Sequence, residues 1–81
     1  MQVNWTQFDN TLYATFRYNS FERYRLIVEQ LPGECIWDWA VWGDGQSLNK
    51  VRHGISPSVR AAMTKAETCV YAATHTNGRD F

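Results

Sequence analysis

At eighty-one residues the chain is a single domain, of a size where one core barely offsets chain entropy, and residues 1–81 are read as one unit. Apolar side chains at 44% and aromatics at 15% exclude a disordered or low-complexity protein. Eight Lys and Arg balance eight Asp and Glu, which excludes attraction to nucleic acid or anionic membrane through global charge; any such binding needs a local patch.

The opening Met-Gln-Val-Asn-Trp has no basic segment leading into an apolar run, and no apolar stretch approaches the ~20 residues that span a bilayer. A cytoplasmic protein without a membrane segment is expected. Residues 1–10 carry Trp5 and Phe8 and end in Asp9-Asn10, whose side chains bond nearby backbone and tolerate positive φ. They read as a short extended or single-turn lead-in. Thr11 to Arg17 alternates Leu12, Ala14 and Phe16 with Tyr13, Thr15 and Arg17, the pattern of a half-buried strand. Tyr18-Asn19-Ser20 supplies a turn, and Phe21 to Gln30 resumes extension with Tyr24, Leu26 and Val28 opposed to Arg25, Ile27 and Glu29. Leu31-Pro32-Gly33-Glu34 puts proline where φ must be near −65° and glycine where it must be positive, a type II turn closing a hairpin.

Cys35 to Trp42 holds three of the four tryptophans and is the core strand. Its alternation sets Cys35, Trp37, Trp39 and Val41 against Ile36, Asp38, Ala40 and Trp42. Aromatic rings bury roughly 150–250 Å² each, so Trp37 and Trp39 are assigned to the interior at about 25 cal/mol per Å². Gly43-Asp44-Gly45 is expected to end this strand, and Lys50 to Ile55 to form a short edge strand with Val51 and His53 opposed to Lys50, Arg52 and Gly54. Ser56 is expected to cap a helix whose first position is Pro57 and which runs to about Thr74. Val59, Ala62, Met63, Ala66, Cys69, Val70 and Ala73 form its apolar stripe, mostly small residues suited to close approach over bulky indoles. The tail 75–81 is expected to fray unless Phe81 docks. The fold class is therefore α+β: a three- or four-stranded antiparallel meander with one C-terminal amphipathic helix packed on one face.

Cys35 and Cys69 are too few for a disulfide scaffold and are expected as buried thiols. With His53 and His75 they lack ligand spacing, so neither metal nor cofactor is expected. Glu29 and Asp38 fall on adjacent strands and one face, either as a carboxylate pair of the kind used in acid–base work or paired with an arginine such as Arg25. No serine sits in a nucleophile elbow and no glycine-rich loop precedes a helix, which points away from an enzyme. What remains is surface. If the helix covers Trp37 and Trp39, the opposite face presents Tyr13, Arg17, Arg25, Ile27, Ala40 and Trp42, with Arg52 near the edge. Interfaces concentrate that mixture of aromatics and arginine. Two other dispositions stay open: closure of this face by Trp5 or Phe8, and a stacking platform for single-stranded nucleic acid, against which the neutral charge and the acids Glu29 and Asp38 count.

The pattern Trp37-x-Trp39-x-Val41, then Gly54-Ile55-Ser56, then Ala62-x-x-x-Ala66-Glu67 spans roughly residues 24 to 74. In layout it resembles small sheet-plus-helix proteins of phages and other mobile elements, anti-CRISPR inhibitors among them. That resemblance implies a protein acting by binding a host protein complex, and carries over no residue roles. The strand order is also similar to the three-strand-plus-helix DNA-binding modules of the integrase-arm and AP2 type, which implies DNA contact through a basic sheet face. The expected function is a non-enzymatic protein-interaction module that binds a protein partner, or a second copy, through Tyr13, Arg17, Arg25, Ile27, Trp42 and Arg52. Nucleic-acid binding through the same face is the alternative.

Overall fold

The structure, a computed structural model, describes residues 3–18, 22–45 and 51–75. Within them lie β1 (Thr6–Phe8), β2 (Thr11–Arg17), β3 (Glu22–Gln30), β4 (Trp37–Gly45), β5 (Val51–Ser56) and α1 (Val59–His75). The strands form one antiparallel sheet in sequential order, β1-β2-β3-β4-β5. This is the α+β meander with a C-terminal helix that the hydrophobic pattern predicts, with five strands rather than three or four.

The additional strand comes from Asp9-Asn10. Phe8 pairs with Thr11 and Asp9 takes φ 55°, so the doublet is a two-residue hairpin turn and the lead-in folds back as β1. Such a turn needs left-handed backbone, which aspartate tolerates better than most residues. At the next described turn Gly33 has φ 74° and the Glu34 N–H donates to the Leu31 carbonyl at 3.2 Å, as the proline–glycine pair predicts. The Leu31 N–H donates to the Ile36 carbonyl at 3.0 Å, so β4 starts only at Trp37. Cys35 is left in the turn as an exposed free thiol, not the buried one expected.

Gly43 to Gly45 do not end β4. They pair with Tyr24, Arg23 and Glu22, because the length of β3 supplies ladder partners that outweigh the loop preference of glycine. Residues 19 and 20 of the expected turn after β2, and residues 76–81 of the tail, lie outside the described residues.

The helix cap also differs by two residues. The Ala61 N–H donates to Ser58 Oγ at 3.1 Å and the Ala62 N–H to the Ser58 carbonyl at 3.0 Å, so Ser58 is the N-cap. Ser56 is engaged elsewhere: it is buried at the end of β5 opposite Trp37.

α1 packs on β3, β4 and β5. It buries Ala62, Ala66, Val70 and Ala73 against a sheet face bearing Ala14, Tyr24, Leu26, Val28 and Val41. The largest fully buried side chains are Tyr24, Leu26, Val28, Val41 and Val70, each contributing about 1.5–3 kcal/mol or more on burial. Trp37 and Trp39 share this face, as expected, yet both are only half-buried. Trp39 packs against the margin of the core, its indole lying over Gly54 of β5. The aliphatic centre with Tyr24, and not the pair of indoles, is the interior.

Val3 and Trp5 also pack on this core. The Trp5 indole N–H donates to Glu67 Oε2 at 2.6 Å, tying the segment before β1 to the helix 62 residues later. Trp5 is therefore on the helix side, and the expected alternative, in which it crosses the opposite face, is overturned.

Candidate functional site

Directly paired residues of antiparallel strands point to the same side, so the register assembles the helix-free face row by row. The middle row crosses all five strands: Thr6, Tyr13, Ile27, Ala40 and His53. On one side of it runs Phe8, Thr11, Glu29, Asp38 and Ile55. On the other runs Thr15, Arg25 and Trp42, followed by Arg17 opposite Arg23.

Phe8 is 69% exposed, Ile55 62% and Tyr13 46%, while Ile27, Ala40 and Trp42 are half-buried. An apolar band thus runs from one edge of the sheet to the other with no helix over it among the described residues. Large contiguous apolar patches are uncommon on monomers and mark binding surfaces.

Charge is divided between the two ends of this face. Glu29 lies directly opposite Asp38; at the other end Arg17, Arg23 and Asp44 share one row, with Arg25 next in phase on β3. Like charges directly across a ladder are destabilising. Neither the acidic row nor the middle row contains a lysine or arginine. The Cα atoms of Glu29 and Arg25, four residues apart along one strand, are separated by roughly 13 Å. Neither carboxylate, Glu29 or Asp38, has a cation directly opposite it or at the next position in phase on its own strand.

Of the residues predicted from sequence, Tyr13, Arg17, Arg25, Ile27 and Trp42 share this face. Arg52 does not join them. It pairs with Val41 and so faces the helix side of β5, because β5 alternates in phase with β4. There it is one of two cations, with Lys65, that partly offset the effect of burial on Cys69, whose thiol is pushed up from its ordinary value chiefly by desolvation. Sequence reasoning omitted Phe8, His53 and Ile55 from the face. The Asp9-Asn10 turn signal would have brought Phe8 in, and the period-two reading from Val51 onward would have brought in the other two.

Among the described residues no group of three or more His, Cys, Asp or Glu is placed to hold a metal ion; this includes the open groove beside the two hairpin turns, where Asp9, Glu29 and Glu34 lie. No described helix is long and apolar enough to cross a membrane. Comparison with family models, characterised proteins and solved structures gives no match.

Proposed function

We propose that this chain is a non-enzymatic protein-interaction module that docks a protein through its helix-free sheet face. The observation that carries the reading is the apolar band from Phe8 through Tyr13, Ile27 and Ala40 to Ile55, on a face that both α1 and the Trp5 segment leave open. Its flanking arginines and Trp42 are residue types enriched where binding energy concentrates. The layout resemblance to small phage proteins supports a host protein as the partner; the charge division across the face supports a different one, taken up below.

The test is site-specific photo-crosslinking in the native host with a benzophenone amino acid at Tyr13, using Tyr71 on α1 as the control. The two side chains are similarly exposed, at 46% and 51%, but lie on opposite sides of the molecule. Protein adducts at Tyr13 and none at Tyr71 are expected. No adduct at Tyr13, or equal yields from both positions, refutes the reading.

The grouping of Arg17, Arg23 and Arg25 beside Tyr13 and Trp42 favours a second reading, contact with single-stranded nucleic acid. It requires a labelled oligonucleotide to bind at low salt with affinity falling steeply as salt rises. Absence of binding at low salt removes it.

A further inference from the structure

We infer that the protein docked on this face is a second copy of the same chain, its strands antiparallel to the first, related by a two-fold axis along the row Tyr13–Ile27–Ala40–His53. The inference rests on the protein-docking reading and names its partner. β3 is the central strand of five, and Ile27 is the central residue of the middle row, so the axis passes through the centre of the apolar band.

Rotation about this axis leaves the middle row facing itself, Ile27 against the partner's Ile27, and exchanges the two flanking rows. Glu29 then comes opposite the partner's Arg25, and Arg25 opposite the partner's Glu29. Asp38 comes beside the partner's Trp42, within reach of the same arginine. The like-charge neighbours of the acidic row thereby gain a cation that this row and the middle row of their own face do not contain. The other two-fold available to stacked sheets, along β3 itself, would set Glu29 on the partner's Glu29 and Arg25 on the partner's Arg25. Charge therefore selects between the two arrangements.

Two such sheets pack about 10 Å apart and cross near −30°, which displaces contacts at the edges more than on the central strand. The face measures about 20 Å along four of its strands and about 10 Å along the three-residue β1, roughly 430 Å² per copy and 860 Å² for the pair. That falls short of the roughly 1,000 Å² of a stable specific interface, so the dimer is weak and its existence depends on the charge match.

The experiment is sedimentation equilibrium of the full chain from about 1 µM to 1 mM, which spans dissociation free energies of about 8 to 4 kcal/mol. Wild type is compared with Glu29→Arg, Arg25→Glu, the double reversal and an equimolar mixture of the two single variants. Circular dichroism of each first establishes that it folds. Wild type should approach twice the chain mass of 9.4 kDa. Each single reversal should dissociate at least about tenfold more readily, because it opposes like charges at both ends of the interface. The mixture and the double reversal should both recover association, since each restores opposite charges at both contacts.

A wild type monomeric throughout, a dimer indifferent to both reversals, or single reversals not rescued by mixing each overturns the inference. The Tyr13 crosslink separates this failure from that of the docking reading. Adducts there to a different protein only, with a monomeric wild type, remove the second copy and keep the docking face; no adduct at all removes both.

Discussion

Gly54→Ala is the sharpest test of how β4 and β5 meet, because general expectation and this structure give opposite signs. Replacing a strand glycine with alanine ordinarily stabilises, by about 0.4–1 kcal/mol through reduced freedom of the unfolded chain. At Gly54 an added Cβ would stand 2.9 Å from both Cζ2 and Nε1 of Trp39 and 3.0 Å from Cε2. Carbon atoms are most stable about 3.5–4.0 Å apart, so the indole must retreat by roughly 0.6 Å or more. The ring is a rigid plate set against the core margin, and moving it loosens its packing. Overpacking of this kind costs about 1–3 kcal/mol, which outweighs the backbone gain. In a domain of this size the net loss lowers Tm by about 4–15 °C. Differential scanning calorimetry of Gly54→Ala reads it directly, and Trp39→Phe in the same background should recover part of the loss because a single phenyl ring is smaller than the fused indole. A Tm at or above wild type for Gly54→Ala refutes the packing of Trp39 over β5.

Four further outcomes follow from named side chains. Trp5→Phe keeps most of the ring but deletes the 2.6 Å bond to Glu67, and should cost about 1–2 kcal/mol in urea denaturation; an unchanged midpoint would mean that the N-terminal segment is not held to the helix. Ser58→Ala should cost about 1 kcal/mol through loss of the cap while Ser58→Asp is close to neutral, measured by the same denaturation. Because burial raises the Cys69 thiol, the native state holds that proton more tightly than the unfolded chain. Its contribution is fully present below the ordinary thiol value of about 8.5 and is lost as pH rises through the higher native value, so Cys69→Ala should flatten the alkaline limb of a Tm–pH profile. Cys35, exposed in its turn, should be alkylated well before Cys69 at pH 8.

The strands and helix were legible because their periods are unambiguous: Tyr24, Leu26 and Val28 against Arg25, Ile27 and Glu29 admits only one face assignment, and the paired register agrees with it. The errors cluster where backbone hydrogen bonding overrides local preference. Glycines at 43 and 45 look like a loop in isolation, yet remain in the ladder because β3 extends far enough to pair with them. Ser56 and Ser58 are both adequate caps, and the ladder partner at Trp37 decides which one is available. The tryptophans misled for a different reason. Size predicts burial on average, but a small core closed by alanines accommodates Tyr24 and aliphatics at its centre and leaves indoles at its margin. Most of the candidate face was readable from period alone. Arg52 was misplaced although it alternates with Val51 and His53, because alternation within β5 does not say which of its sides matches which side of β4; pairing with Val41 puts it on the helix side.

The placement of Trp5 bears on why the second face stays open. α1, 17 residues long, is about 25 Å by 10 Å, enough to cover β3 to β5, and Val3 and Trp5 pack against the same core. All the covering elements among the described residues therefore lie on one side, and none of them covers the apolar band opposite. Ile27 at its centre separates the cases. If the face were a second core of the monomer, Ile27→Glu would lower Tm at every protein concentration, through a stability loss of about 2–5 kcal/mol for a lost buried aliphatic. If a second copy covers it, wild-type Tm rises with protein concentration by mass action, and Ile27→Glu falls to the dilute wild-type value and no further. A concentration-independent wild-type Tm combined with a large loss in Ile27→Glu would place the band inside the folded monomer and leave no face to dock.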